Sequence, residues 1–135
     1  MKGITLIKVI SASTVAFLAF SVSVPAQAPE LELLNGLQKG EWTLKTRSSA
    51  SDGQKVCLGD PGILLQIKHG GAACSRYIIQ DTPNSVRVSY KCGSSDHGVT
   101  TIKRESSGLV QIQSQGIQNN APFSFNVEGR RTGSC

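Results

Sequence analysis

Through most of this chain, apolar side chains return at every second position. In "WTLKTR", Trp42, Leu44 and Thr46 share one side while Lys45 and Arg47 take the other, the alternation expected of a half-buried strand. "QKVCL" returns as a second strand after the turn material "SSASDG". "SRYIIQ" and "SVRVSYKC" flank "DTPN", whose Pro83 and Asn84 occupy turn-favoured positions. The second of these segments sets Val86, Val88, Tyr90 and Cys92 on one face. "VTTIKRE" and "LVQIQSQ" bracket "SSG", a hairpin signal, and "PFSFNVEG" directs Phe123, Phe125 and Val127 inward.

The period changes in "DPGILLQIKHGG", which predicts a helix. Asp60 is placed as N-cap and Pro61 at the first helical position. Ile63, Leu64 and Ile67 form an apolar stripe, Lys68 and His69 suit the last turn, and Gly70 is a left-handed cap. "QAPELELLNGLQKGE" predicts a tether with a short helical turn, with Leu31, Leu34 and Leu37 on one face and Gly36 and Gly40 limiting its length. About seven short strands with one short helix predict a mainly β fold, an antiparallel curved sheet or a small barrel.

The N-terminus changes the picture of address. Lys2 and Lys8 precede "VISASTVAFLAFSVSV", an apolar run interrupted by serines. A bilayer-spanning helix needs about 20 strongly apolar residues, so the segment is expected to be a secretory signal peptide. Cleavage after Ala26 is favoured over Ala28, where Pro29 would follow the cut. The expected organisation is therefore a signal peptide over residues 1–26, a tether over 27–40 and a single β-rich domain over 41–135, with no membrane span left after cleavage. The remaining chain carries twelve Lys/Arg against nine Asp/Glu. So weak an excess, without a basic stripe interleaved with aromatics, argues against nucleic acid as partner.

Cys57, Cys74, Cys92 and Cys135 all follow the signal, and an even count in an exported chain predicts two disulfides. Their wide spacing lacks the close ligand pairs of a zinc site, and no metal or cofactor is expected. Three connectivities are possible. The favoured one is Cys57–Cys74, closing a loop around the helix, with Cys92–Cys135 tying down the last strand. The runner-up is Cys74–Cys92, clipping a hairpin, with Cys57–Cys135 as its complement.

The chemical candidates are few. Asp96 and His97 in "GSSDHG" bring a carboxylate, an imidazole and two serines together. A catalytic triad, however, is assembled by the fold and not by adjacency, so a solvated loop is expected there, and His69 is expected to be a helix C-terminal residue. Arg130 and Arg131 offer two guanidinium forks for phosphate or carboxylate. Alternation turns one inward and one outward, and an internal carboxylate is the expected partner. Trp42 and Tyr90 are candidate binding residues on the curved sheet, with the core as the competing place for Trp42.

"GEW" opening the first strand, "VCL" ending the second, the two middle cysteines and the closing "GRRTGSC" together resemble the domain-of-unknown-function family 3617, small exported proteins of Gram-negative bacteria. The resemblance runs from about Leu37 to Cys135. It implies a periplasmic address and a disulfide-bearing β domain. It carries no assigned reaction, so no catalytic residue is transferred. The expectation is a monomeric periplasmic binding or envelope-associated module without enzymatic activity, whose partner is an envelope protein, glycan or lipid. A small-ligand-binding barrel and an inhibitor of a secreted hydrolase are the alternatives.

Overall fold

A computed structural model describes residues 31–135. The expected signal peptide, its cleavage site and the first residues of the expected tether lie outside the described residues. Seven antiparallel strands follow one short helix, α1 (Glu32–Asn35). They are β1 (Gly40–Lys45), β2 (Gln54–Leu58), β3 (Cys74–Thr82), β4 (Ser85–Cys92), β5 (Asp96–Ser106), β6 (Leu109–Gln118) and β7 (Ala121–Gly133). They form one sheet in the order β2-β1-β7-β6-β5-β4-β3, which is not closed into a barrel. The strands from β3 to β7 form a simple meander. The hairpin β1–β2 then joins the far side of β7, so the final strand lies between segments distant in sequence.

Alternation explains why each segment pairs as it does. Val86, Val88, Ile102, Val110 and Ile112 are buried, while the residues between them face solvent or are only partly covered. A shift by one residue would exchange the two faces of a strand. The turns have their own chemistry. Asn119 and Asn120 connect β6 to β7 with φ of 51° and 63°, the paired positive values of a tight hairpin turn.

The apolar face is covered by α1 and by a 3-10 helix over Pro61–His69. The latter has the expected start, since Asp60 caps it by accepting from the Gly62 N–H at 2.8 Å. It is not the continuous α-helix implied by the apolar stripe, because Gln66 leaves helical geometry at φ −137°. The reason is tertiary. Buried Gln66 donates to the carbonyls of Gly70 and Ala72, each at 2.8 Å, and accepts from Arg76 on β3 at 2.9 Å. Satisfying those carbonyls outweighs one regular helical residue.

The described part of the expected tether belongs to the core. Leu31, Leu33, Leu34 and Leu37 join the same apolar cluster as Trp42 and the sheet residues. Burying four leucines removes too much apolar surface from water for the segment to trail free.

Both disulfides form, but in the runner-up pairing. Cys74 and Cys92 sit directly opposite each other on β3 and β4, with Cα atoms 4.2 Å apart. Cys57 on β2 pairs with Cys135, Cα to Cα 5.6 Å. The favoured pairing, Cys57–Cys74 with Cys92–Cys135, is corrected by register, because facing strand positions bring the two middle sulfurs together. The chain leaves β7 at Gly133 and crosses the start of β1, where Glu41 faces both Cys57 and Gly133. Among the described residues, no helix is long and apolar enough to cross a membrane.

Candidate functional site

The two binding residues expected on the curved sheet are not available to a ligand. Trp42 is fully buried and its indole N–H donates to the Gln38 carbonyl at 2.9 Å. Tyr90 is 2% exposed. Both point to the covered face, because they occupy the same alternation as the core residues. This corrects their assignment as binding candidates.

Tyr90 instead belongs to a closed polar cluster. Its register row runs through Gly98 on β5 and Gly116 on β6 to Phe123 on β7. The Tyr90 ring lies over Gly98, and the His69 ring stands edge-on to both Tyr90 and Phe123. A methyl group at Gly98 would strike the Tyr90 ring. The His69 Nε2 lies 3.2 Å from the Ile117 carbonyl and Nδ1 lies 3.1 Å from the Tyr90 hydroxyl. A carbonyl only accepts, so Nε2 carries a hydrogen. Burial pushes the Tyr90 phenol above its ordinary value, against the lowering effect of hydrogen bonds with Ser114 and Thr100.

Asp96 joins this cluster from β5, with one carboxylate oxygen 3.8 Å from His69 Nε2 and the other accepting from the Asn119 N–H at 3.0 Å. The neighbouring His97 points the opposite way, exposed, with Nδ1 2.9 Å from the Ser95 carbonyl. The expected solvated loop is thus the start of β5, and alternation separates Asp96 from His97 across the sheet. The sequence adjacency is therefore no catalytic pair. The pair that does meet, His69 and Asp96, lines none of the three cavities described among these residues. The cluster seats a helix end on the sheet.

Arg130 and Arg131 divide as alternation requires. Arg130 faces solvent and bonds Glu128 at 3.1 Å, an internal carboxylate as expected. Glu128 also accepts from Gln111 at 3.1 Å. These bonds from Gln111 and then Arg130 hold its carboxyl below the usual range, against a small opposing effect of burial and with added attraction from Arg130 and Arg47. Arg131 donates from Nε to the Lys39 carbonyl at 2.9 Å and pins the start of β1 to β7.

Open space lies elsewhere. β7 runs for 13 residues, but β1 pairs only with its C-terminal part, from Glu128 onward. Between Ala121 and Val127, the side of β7 facing β1 has no backbone partner among the described residues. Two grooves flank this gap. On the solvent face, one of about 930 Å³ is lined by Arg47, Lys103, Thr101, Gln111, Gln113 and Asn126, among others. On the covered face, one of about 530 Å³ is lined by Leu44, Ile67, Phe125 and Val127, with Lys68 and Gln54 among its polar residues. Thr46, Phe125 and Val127 border both grooves.

The solvent face is also electrostatically one-sided. Alternation brings Lys45, Arg87, Lys91 and Lys103 to it, none with an acidic partner within 4 Å among the described residues. Its acids Glu41 and Glu128 are each already paired, with Lys55 and Arg130. The modest excess of positive charge is thereby concentrated on one surface. In the sequence, alternation sets Lys45 on the polar side of its strand, but nothing there gathers the other charges onto one face or marks the gap beside β7. Comparison with protein-family models, with curated proteins and with solved structures finds no match to this chain.

Proposed function

We propose that this protein is a non-enzymatic binding module of the exported space, of the kind implied by its resemblance to family 3617. Its site is the paired grooves on either side of the open edge of β7. The observation that carries this reading is the meeting at Thr46, Phe125 and Val127 of two grooves, one bordered by Arg47 and Lys103 and the other by Leu44 and Ile67. Their volumes fall within the range of about 300–1,000 Å³ usual for ligand sites. One offers unpaired cations and amide side chains, the other aliphatic and aromatic carbon. A ligand that fits both has an anionic or strongly polar side and an apolar side. Two disulfides are compatible with an oxidising compartment outside the cytoplasm, and the periplasm is the compartment we propose.

The test is site-specific photocrosslinking in exporting cells. Benzoylphenylalanine at Asn126, on the rim of the larger groove, is expected to give a discrete adduct. The same probe at Arg87, on the same face three strands away, is expected to give none. Absence of an adduct at Asn126, or an identical pattern at both positions, would overturn the assignment.

A further inference from the structure

The gap beside β7 has a feature that a pocket for a small molecule does not need, a row of unused main-chain groups. Which groups these are follows from the ladder. The Arg131 N–H donates to the Gly108 carbonyl, on the β6 side of β7. Main-chain groups alternate in direction along a strand, so Phe123, Phe125 and Val127 also address β6. Ser124 and Asn126 address the gap. Pro122 fits the same phase, because a residue without an N–H is tolerated where the strand faces an open edge. Unpaired main-chain groups along an exposed strand edge are a ready template for another strand. Here two residues present theirs between two grooves, at the place where β1 stops pairing.

We infer that this slot takes an extended segment of another polypeptide as an additional strand beside β7, with apolar residues alternating with acidic ones. The inference rests on the reading of the paired grooves as the binding site. Successive side chains of a strand point to opposite faces. Every second residue of the incoming segment would enter the groove of Leu44, Ile67, Phe125 and Val127. Those between would enter the groove of Arg47 and Lys103, where acidic side chains meet two cations. Main-chain bonds then supply affinity and the alternating grooves supply specificity, as in other cases of strand addition. The long outer edge, β3, is less suited to this. Its ladder is broken by a bulge between Ile78 and Gln80, a device that hinders pairing at sheet edges.

The experiment uses the disulfide-bonded protein and a synthetic peptide of about seven residues alternating valine and glutamate, matched to the length of a short strand. Its control has the same composition with the valines and glutamates in separate blocks. Amide hydrogen exchange read by NMR is expected to slow by about tenfold or more at Ser124 and Asn126 on adding the alternating peptide, with little change at Phe123 and Phe125. The block peptide is expected to leave all four unchanged. Arg47→Glu is expected to weaken binding of this peptide several-fold and to strengthen that of a valine–lysine counterpart, a reversal that misfolding does not produce. If the peptide shifts resonances around Thr46 and Phe125 without slowing Ser124 and Asn126, strand addition is overturned while the grooves stand as a site. If no resonance in either groove responds to either peptide, and no crosslink forms at Asn126, both readings fall.

Discussion

At the scale of single residues, the structure uses polar groups where the sequence suggested chemistry. His69 reads in sequence as the end of a helix, which it is, yet its ring also packs edge-on against Tyr90 and Phe123. Nothing local to His69 announces this, because both rings lie on strands more than 20 residues away. Gly98→Ala is expected to destabilise the fold by about 1–3 kcal/mol, the usual range for overpacking, measurable by urea unfolding. Tyr90 adds a dependence on pH. A phenol whose folded pKa lies above its unfolded value contributes stability that is complete below about pH 10 and declines as pH rises through the folded value. Urea midpoints should therefore fall above about pH 10, and Tyr90→Phe should remove that part of the decline. Glu128 shows the opposite displacement, and its stabilising effect fades as pH falls through its lowered value. Arg130→Ala should raise its titration midpoint only part of the way in a carbon-detected NMR titration, because the bond from Gln111 remains.

At the scale of elements, the strands were legible and their neighbours were not. Alternation such as Val86, Val88 and Tyr90 marks a strand because one face of the sheet is buried and the other is wet. That condition is clearest along β1, β4, β5 and β6 and weakest along β3, none of whose residues is buried. The 3-10 helix was legible at its start, where Asp60 and Pro61 act locally, and illegible at its end, where Gln66 serves the carbonyls of the following loop. Gln66→Leu retains similar bulk but removes those donors. It is expected to cost about 1–3 kcal/mol, in the range for orphaned buried polar groups, and to accelerate hydrogen exchange selectively over residues 66–73. The gap beside β7 was hidden for a different reason. It arises from a mismatch in length between two strands about 80 residues apart in sequence, and no local pattern records where one strand outruns another.

At the scale of the molecule, the cysteines show how topology decides what spacing leaves open. Two sulfurs on facing positions of one hairpin are joined by register, and the other two are then left to each other. The loop-entropy estimate assigns about 3 kcal/mol to the Cys74–Cys92 bond, whose partners are 18 residues apart. It assigns about 4–5 kcal/mol to Cys57–Cys135, separated by 78 residues. Replacing Cys57 and Cys135 together by serine should therefore lower the unfolding free energy more than replacing Cys74 and Cys92 together. Equal losses would show that chain entropy is not what distinguishes the two bonds.

The placement of β7 between β6 and β1 also imposes a sequence of events. Strands β4 to β6 each find a neighbour in the strand made just before, so this part of the sheet can assemble while the remainder is still being delivered. The β1–β2 hairpin has no such neighbour and must wait for residues 128–133 to arrive. Until then Trp42 and Leu44 lack the strand that secures them, and the sulfur of Cys57 has nothing to join. The earliest strands to emerge are thus among the last to be locked in place, and anything that stalls delivery before β7 leaves them exposed to whatever else is at hand.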